Sequence, residues 1–152
     1  MTELQAGDQT IQFDGERTRA IYGAIPCGGA DECDCLFCKN FAAQRNSAYP
    51  DAFKAILDRL GIDPMKEGEA FEYGPVGNGL HLYGGWFYLI GELIVPGERS
   101  VSYPEASAFE FWFTKSCPGN RHFREAPRLA IEFSTRIPWI LPDDPEAARR
   151  PA

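Results

Sequence analysis

No stretch of this 152-residue chain approaches the roughly 18 consecutive apolar residues of a membrane-spanning helix. Basic runs are missing too. Fifteen lysines and arginines are scattered among 22 acids, for a net charge of −7 and a pI near 4.8, so a surface that tracks nucleic-acid phosphates is not expected. The opening MTELQAGDQTIQF has neither a basic n-region nor an apolar h-region, which points to the cytoplasm rather than to secretion. There is no P-loop, no strand-linked G-x-G-x-x-G, no G-x-S-x-G and no H-E-x-x-H, which removes the usual motif routes to NTPases, dinucleotide enzymes, serine hydrolases and zinc proteases. Histidine is scarce, and with 2 in the chain an imidazole ligand to any metal can come only from His81 or His122.

Aromatic residues (13%), 15 glycines and 12 prolines suggest a sheet-rich body with many turns, and 24% charged residues argue against disorder. A chain of this length can bury well over half of its unfolded surface in one core without a disulfide or metal. The expected fold class is α+β: one domain over 1–141, with a mostly antiparallel sheet of five or six strands and two helices on one face. A flexible proline-rich tail is expected over 142–152, where prolines 142, 145 and 151 alternate with acids and arginines.

QTIQFDGERTRAIYGAI reads as a hairpin turning at Asp14-Gly15, with Ile11 and Phe13 sharing a face with Ala20 and Tyr22. Leu36 to Ala48 favours a helix with Phe37 and Phe41 one turn apart. YPDAFKAILDRLG is the clearest helix, with an apolar stripe of Phe53, Ile56, Leu57 and Leu60 and Gly61 at its stop. Strands are predicted over 69–73, 79–95, 108–114 and 128–137. The segment GLHLYGGWFYLIGELI admits either one bent strand or a hairpin turning at Gly84-Gly85.

Four of the five cysteines, Cys27, Cys33, Cys35 and Cys38, fall within twelve residues, while Cys117 stands alone. The Cys35-x2-Cys38 step lets two sulfurs share one tetrahedral ion, and the C-x-C step at Cys33 and Cys35 points two sulfurs the same way in extended chain. Cys27, swinging back through Gly28-Gly29, would complete four sulfurs and close a structural zinc site. In a reducing compartment disulfides are disfavoured, and the acids Asp31, Glu32 and Asp34 oppose a bare reactive thiolate. The competing readings are reduced cysteines without a ligand, an iron–sulfur cluster, a thiol switch, and a three-cysteine site completed by a histidine or by water.

A second candidate site is the aromatic face around His81. His81 and Tyr83, with Glu110, Trp112, Glu132 and Arg136 on the outward faces of neighbouring strands, would line a cleft for a small polar or aromatic ligand. A satisfied half-buried histidine among exposed cross-strand ion pairs accounts for the same residues.

The motifs Cys33-x-Cys35-x2-Cys38-x-Asn40-Phe41, the YPDAFKAILDRLGIDP helix, HLYGGWF and the late EFSTRIPWI strand resemble an uncharacterised family of small bacterial proteins. The resemblance implies a bacterial single-domain protein and carries no activity. The resulting expectation is a cytosolic binding or interaction module with zinc on its cysteine cluster and an acidic surface suited to a protein partner, with no nucleic acid or membrane. The alternatives are an enzyme or ligand binder on the His81 face, or a thiol redox switch.

Overall fold

Asp14-Gly15 has two local uses, because the short acidic side chain that suits a turn also suits a helix N-cap. In the computed structural model, which describes residues 1–124 and 127–149, the helix wins. The Asp14 side chain accepts from the Arg17 N–H at 3.0 Å, and its carbonyl accepts from the Thr18 N–H at 3.1 Å and hydroxyl at 2.8 Å. This cap opens α1 (Gly15–Gly23), so Ala20 and Tyr22 lie on a helix rather than on a second strand. The hairpin instead joins β1 (Thr2–Ala6) to β2 (Gln9–Phe13) through Gly7-Asp8, with Gly7 at φ 60°.

A single 3₁₀ turn (Gly29–Glu32) leads to α2 (Leu36–Ala48) and α3 (Asp51–Leu60), both where the sequence places them. Gly61 ends α3 in the left-handed region at φ 83°, returning its N–H to Asp58 and Leu57. The remaining elements are β3 (Glu69–Gly77), β4 (Leu80–Val95), β5 (Val101–Tyr103), β6 (Phe109–Thr114), β7 (Arg128–Pro138) and α4 (Pro145–Arg149).

The seven strands form one antiparallel sheet in the order β1-β2-β4-β7-β6-β5, with β3 also on β4. Strand β4 is continuous: Gly84 pairs with Phe71 and Ser134, and Gly85 with Ala70 and Phe133, so no hairpin turns there. One edge of β4 is shared, β3 taking Leu80–Trp86 and β2 taking Gly91–Val95. The backbone left between them must find other partners. Helix α1 supplies them: Asp14 N–H donates to the Ile90 carbonyl at 2.9 Å, Thr18 Oγ1 accepts from the Ile90 N–H at 3.0 Å, and Tyr22 donates its hydroxyl to the Tyr88 carbonyl at 2.7 Å.

Alternation along β4 sends His81, Tyr83, Phe87 and Leu89 to one face, level with Ile137, Thr135, Ile131 and Leu129 of β7. Helices α2 and α3 cover this face. Phe53 lies 4.6 Å from the Phe109 ring and 5.2 Å from Phe111, and Phe41 stacks on Tyr83 at 5.9 Å. The tail, expected to fray, carries α4, whose Arg149 reaches Glu72 at 2.5 Å and lies 4.8 Å over the Phe37 ring. Residues 150–152 of that tail fall outside the described residues.

Gly61 and Gly23 make a matched test of backbone demand. A Cβ at Gly61 would meet the Gly15 carbonyl at 2.3 Å in a positive-φ conformation, whereas one at Gly23 would meet nothing within 4 Å. Gly61→Ala is expected to destabilise by more than about 1 kcal/mol, and Gly23→Ala to be neutral or slightly stabilising. Urea denaturation of the two variants checks the contrast.

Candidate metal centre

The buried stripe of α2 runs Cys38, Phe41, Arg45, Ala48, a helical spacing that places an arginine where an apolar residue is ordinary. Arg45 is 3% exposed and lies 2.7 Å from Glu67, itself wholly buried, and 3.1 Å from Asp31. Burial lowers the arginine's pKa, but the two carboxylates outweigh it and the net direction is upward. For Glu67, burial outweighs the arginine, and its carboxyl titrates above the ordinary range.

This triad fixes the cysteine loop. Glu67 Oε1 also accepts from the Ala30 N–H at 3.2 Å, the Glu67 carbonyl accepts from Gly29 at 2.8 Å, and Asp31 accepts from the Gly28 N–H at 3.0 Å. Gly28 and Gly29 serve this close approach: added Cβ atoms would meet Glu67 Oε2 at 2.5 Å and the Gly68 carbonyl at 2.7 Å. The clamp thus falls on the two glycines through which the sequence lets Cys27 swing back.

Beyond the clamp the chain extends through Cys33 and enters α2 with Cys35 as N-cap, whose sulfur accepts from the Cys38 N–H at 3.4 Å. The result is that Cys33, Cys35 and Cys38 bring their sulfurs within 4.8 Å of one another. Cys35 is exposed, Cys33 half-buried, and Cys38 buried with its thiol 3.9 Å from the Ala70 carbonyl. The Cys35 backbone N–H, followed by the neighbouring thiols, holds Cys33 below the usual thiol range; burial, reinforced by the same thiols, pushes Cys38 well above it. Three sulfurs this close suit a soft ion, since zinc–sulfur bonds of about 2.3 Å place tetrahedral sulfurs about 3.8 Å from each other. The cluster can hold a metal ion.

Cys27, expected as the fourth ligand, is not in this group. Its sulfur instead approaches Glu32 at 4.0 Å, beside a cavity of about 240 Å³ that Lys66, Arg121 and His122 also line. Neither histidine joins the three sulfurs. His122 sits in a loop beside Arg121, which pairs with Glu32 at 3.1 Å.

The six residues of the expected cleft are divided by the sheet. His81 and Tyr83 point into the helix-covered face; Glu110, Trp112, Glu132 and Arg136 lie on the other. The continuous β4 register is the reason, since it makes His81 level with Ile137. His81 is 5% exposed, its Nδ1 is 4.0 Å from Glu72, and Trp139 packs 5.5 Å from its ring. Tyr83 donates to the Phe37 carbonyl at 2.9 Å and receives Asn40 at 3.3 Å, pinning the first turn of α2.

Arg45→Met leaves Glu67 buried without its cation, and the expected cost near neutral pH is about 3 kcal/mol. The sign with pH follows from Glu67, whose folded-state pKa is already raised and rises further without the arginine. A raised carboxyl binds its proton more tightly in the folded state, so stability is greatest at low pH and is lost as pH rises above the unfolded value near 4.5. The Arg45→Met deficit is therefore smaller at pH 5 than at pH 8, which chemical denaturation at the two pH values measures.

No protein-family model, curated protein or solved structure matches this chain.

Proposed function

We propose that the chain is a binding protein in which Cys33, Cys35 and Cys38 hold a structural zinc ion that braces the loop against α2. The convergence of the three sulfurs within 4.8 Å carries the reading. Their chemistry supports zinc: three sulfurs suit a soft, redox-silent ion, and a water would take the fourth tetrahedral position that Cys27 and the histidines do not fill. The position of the cluster supports a structural role, because it joins the end of the clamped 3₁₀ turn to the first turn of α2 rather than lining the cavity beside Cys27. A binding role fits the acidic balance of the chain, with 22 acids against 15 basic side chains. The enzyme reading based on His81 loses support, since that side chain lies under Trp139 on the covered face.

Zinc bound to purified, reduced and reconstituted protein is expected at one equivalent. Cys33→Ser, Cys35→Ser or Cys38→Ser should each lower zinc affinity by at least tenfold, while Cys27→Ser leaves it within about twofold. Competition with a chromophoric chelator reads both. Absence of zinc at one equivalent after reconstitution sinks the zinc assignment, and loss on Cys27→Ser restores a four-sulfur site.

A further inference from the structure

The face of the sheet opposite α2 and α3 carries a pattern that register alone produces. Glu69 pairs with Trp86, Trp86 with Glu132, and Glu132 with Trp112, so four neighbouring strands, β3, β4, β7 and β6, set Glu, Trp, Glu and Trp side by side. With strands about 4.8 Å apart, the two tryptophans stand about 10 Å from each other with Glu132 between them. The aromatic strip continues past Trp86: Phe71 lies 5.7 Å from it, and Tyr73, 61% exposed, lies 4.9 Å from Phe71. Gly84 permits this. A Cβ there would meet Tyr73 at 2.9 Å and Phe71 at 3.1 Å, so both rings lie down against the strand.

The charges of this row and the next are negative, and the exposed Arg136 lies one row further along β7, level with Leu82. In the next row Glu110 pairs with Ser134 and accepts from the Ser134 and Ser100 hydroxyls at 3.2 and 3.0 Å. Among the described residues, Glu69, Glu110 and Glu132 make no ion pair. Glu132 is the central group: it is half-buried, it receives Trp112 and the Cys117 thiol at 3.9 Å, and burial raises its pKa despite those donors. A carboxylate in this position gains from a cation, and a cation beside it meets a tryptophan on each side.

We propose that this row binds an arginine side chain presented by an extended segment of a protein partner. A guanidinium is planar and weakly hydrated; it can stack on an indole while its N–H groups fork onto a carboxylate, which a compact ammonium does less well. The chain's net charge of −7 draws such a partner in. The proposal rests on the binding-protein reading and not on the metal.

The test uses the full chain and a synthetic Gly-Arg-Gly-Arg-Gly-Arg peptide, with Lys and citrulline counterparts, followed by tryptophan fluorescence and calorimetry. One saturable site is expected for the Arg peptide, with the Lys peptide several-fold weaker and the citrulline peptide silent. Glu132→Gln and Trp112→Leu should each weaken binding about tenfold or more, while Glu16→Gln with Asp58→Asn, exposed acids elsewhere, stays within twofold. Should Trp112→Leu fail to fold, Glu132→Gln alone decides, since it keeps the side chain's shape. Absence of saturable binding, equal affinity for Arg and Lys peptides, or equal losses from the remote acids would overturn the proposal, as would saturable binding of an oligosaccharide in the peptide's place. Repeating the titration on metal-stripped and zinc-loaded protein separates the two readings: equal affinities show that the row acts without the metal, whatever the zinc content proves to be.

Discussion

The position of the cysteine loop depends on one buried cation. Arg45 is held from two sides, by Glu67 at 2.7 Å and Asp31 at 3.1 Å, and each acid also accepts backbone N–H groups of the loop. Desolvating these charges is costly, and a pair of apolar side chains would stabilise the core at least as well. What the ionic arrangement adds is direction. An apolar contact tolerates sliding, whereas a guanidinium shared by two carboxylates fixes the 3₁₀ turn, the lead into β3 and α2 relative to one another. Cys33 leaves that turn, and Cys35 and Cys38 open that helix, so the convergence of three sulfurs follows from the clamp.

The parts of this arrangement written as local pattern were legible from the residues. Helix α3 shows its stripe, its entry at Pro50-Asp51 and its stop at Gly61, and α2 runs over the residues that its composition favours. The core faces of β6 and β7 follow from strict alternation, with Phe109, Phe111 and Phe113 opposite Glu110, Trp112 and Thr114. What failed was whatever a local pattern leaves ambiguous. Asp14-Gly15 suits a turn and a cap alike, and only the unpaired edge of β4 around Ile90, which needs the donors and acceptors of α1, decides for the cap. Gly84-Gly85 looks like a turn in one dimension; in the sheet the two glycines make room for Phe71, Tyr73 and Phe133.

The same limit explains the two candidate sites. C-x-C-x2-C is a local motif, and its three sulfurs do meet. Cys27 precedes the clamp, and its position is set by where the turn is anchored, which depends on Glu67, 40 residues away in sequence. Arg45 itself carried a readable signal, since it occupies the position between Phe41 and Ala48 on the buried stripe of α2. The face assignment of His81 could not be read without the choice between bent strand and hairpin. A one-residue change in the phase of β4 would exchange the covered and open faces.

The clamp is made by Arg45, Glu67, Asp31 and N–H groups of the loop, and no sulfur takes part in it. The global core is similarly independent, since Phe53 is in ring contact with Phe87, Phe109, Phe111 and Phe133 from a helix that carries no cysteine. A metal at Cys33, Cys35 and Cys38 would therefore act on the local opening of the loop and the first turn of α2 more than on global unfolding. That first turn is also tied to the sheet through Tyr83 and the Phe37 carbonyl at 2.9 Å, and Tyr83 lies on the face opposite Trp86 and Glu132. The Tyr83 tie and the open face thus share β4 but not its side chains, whereas the clamp reaches the open row through β3, where Glu69 follows Glu67 by two residues and pairs with Trp86.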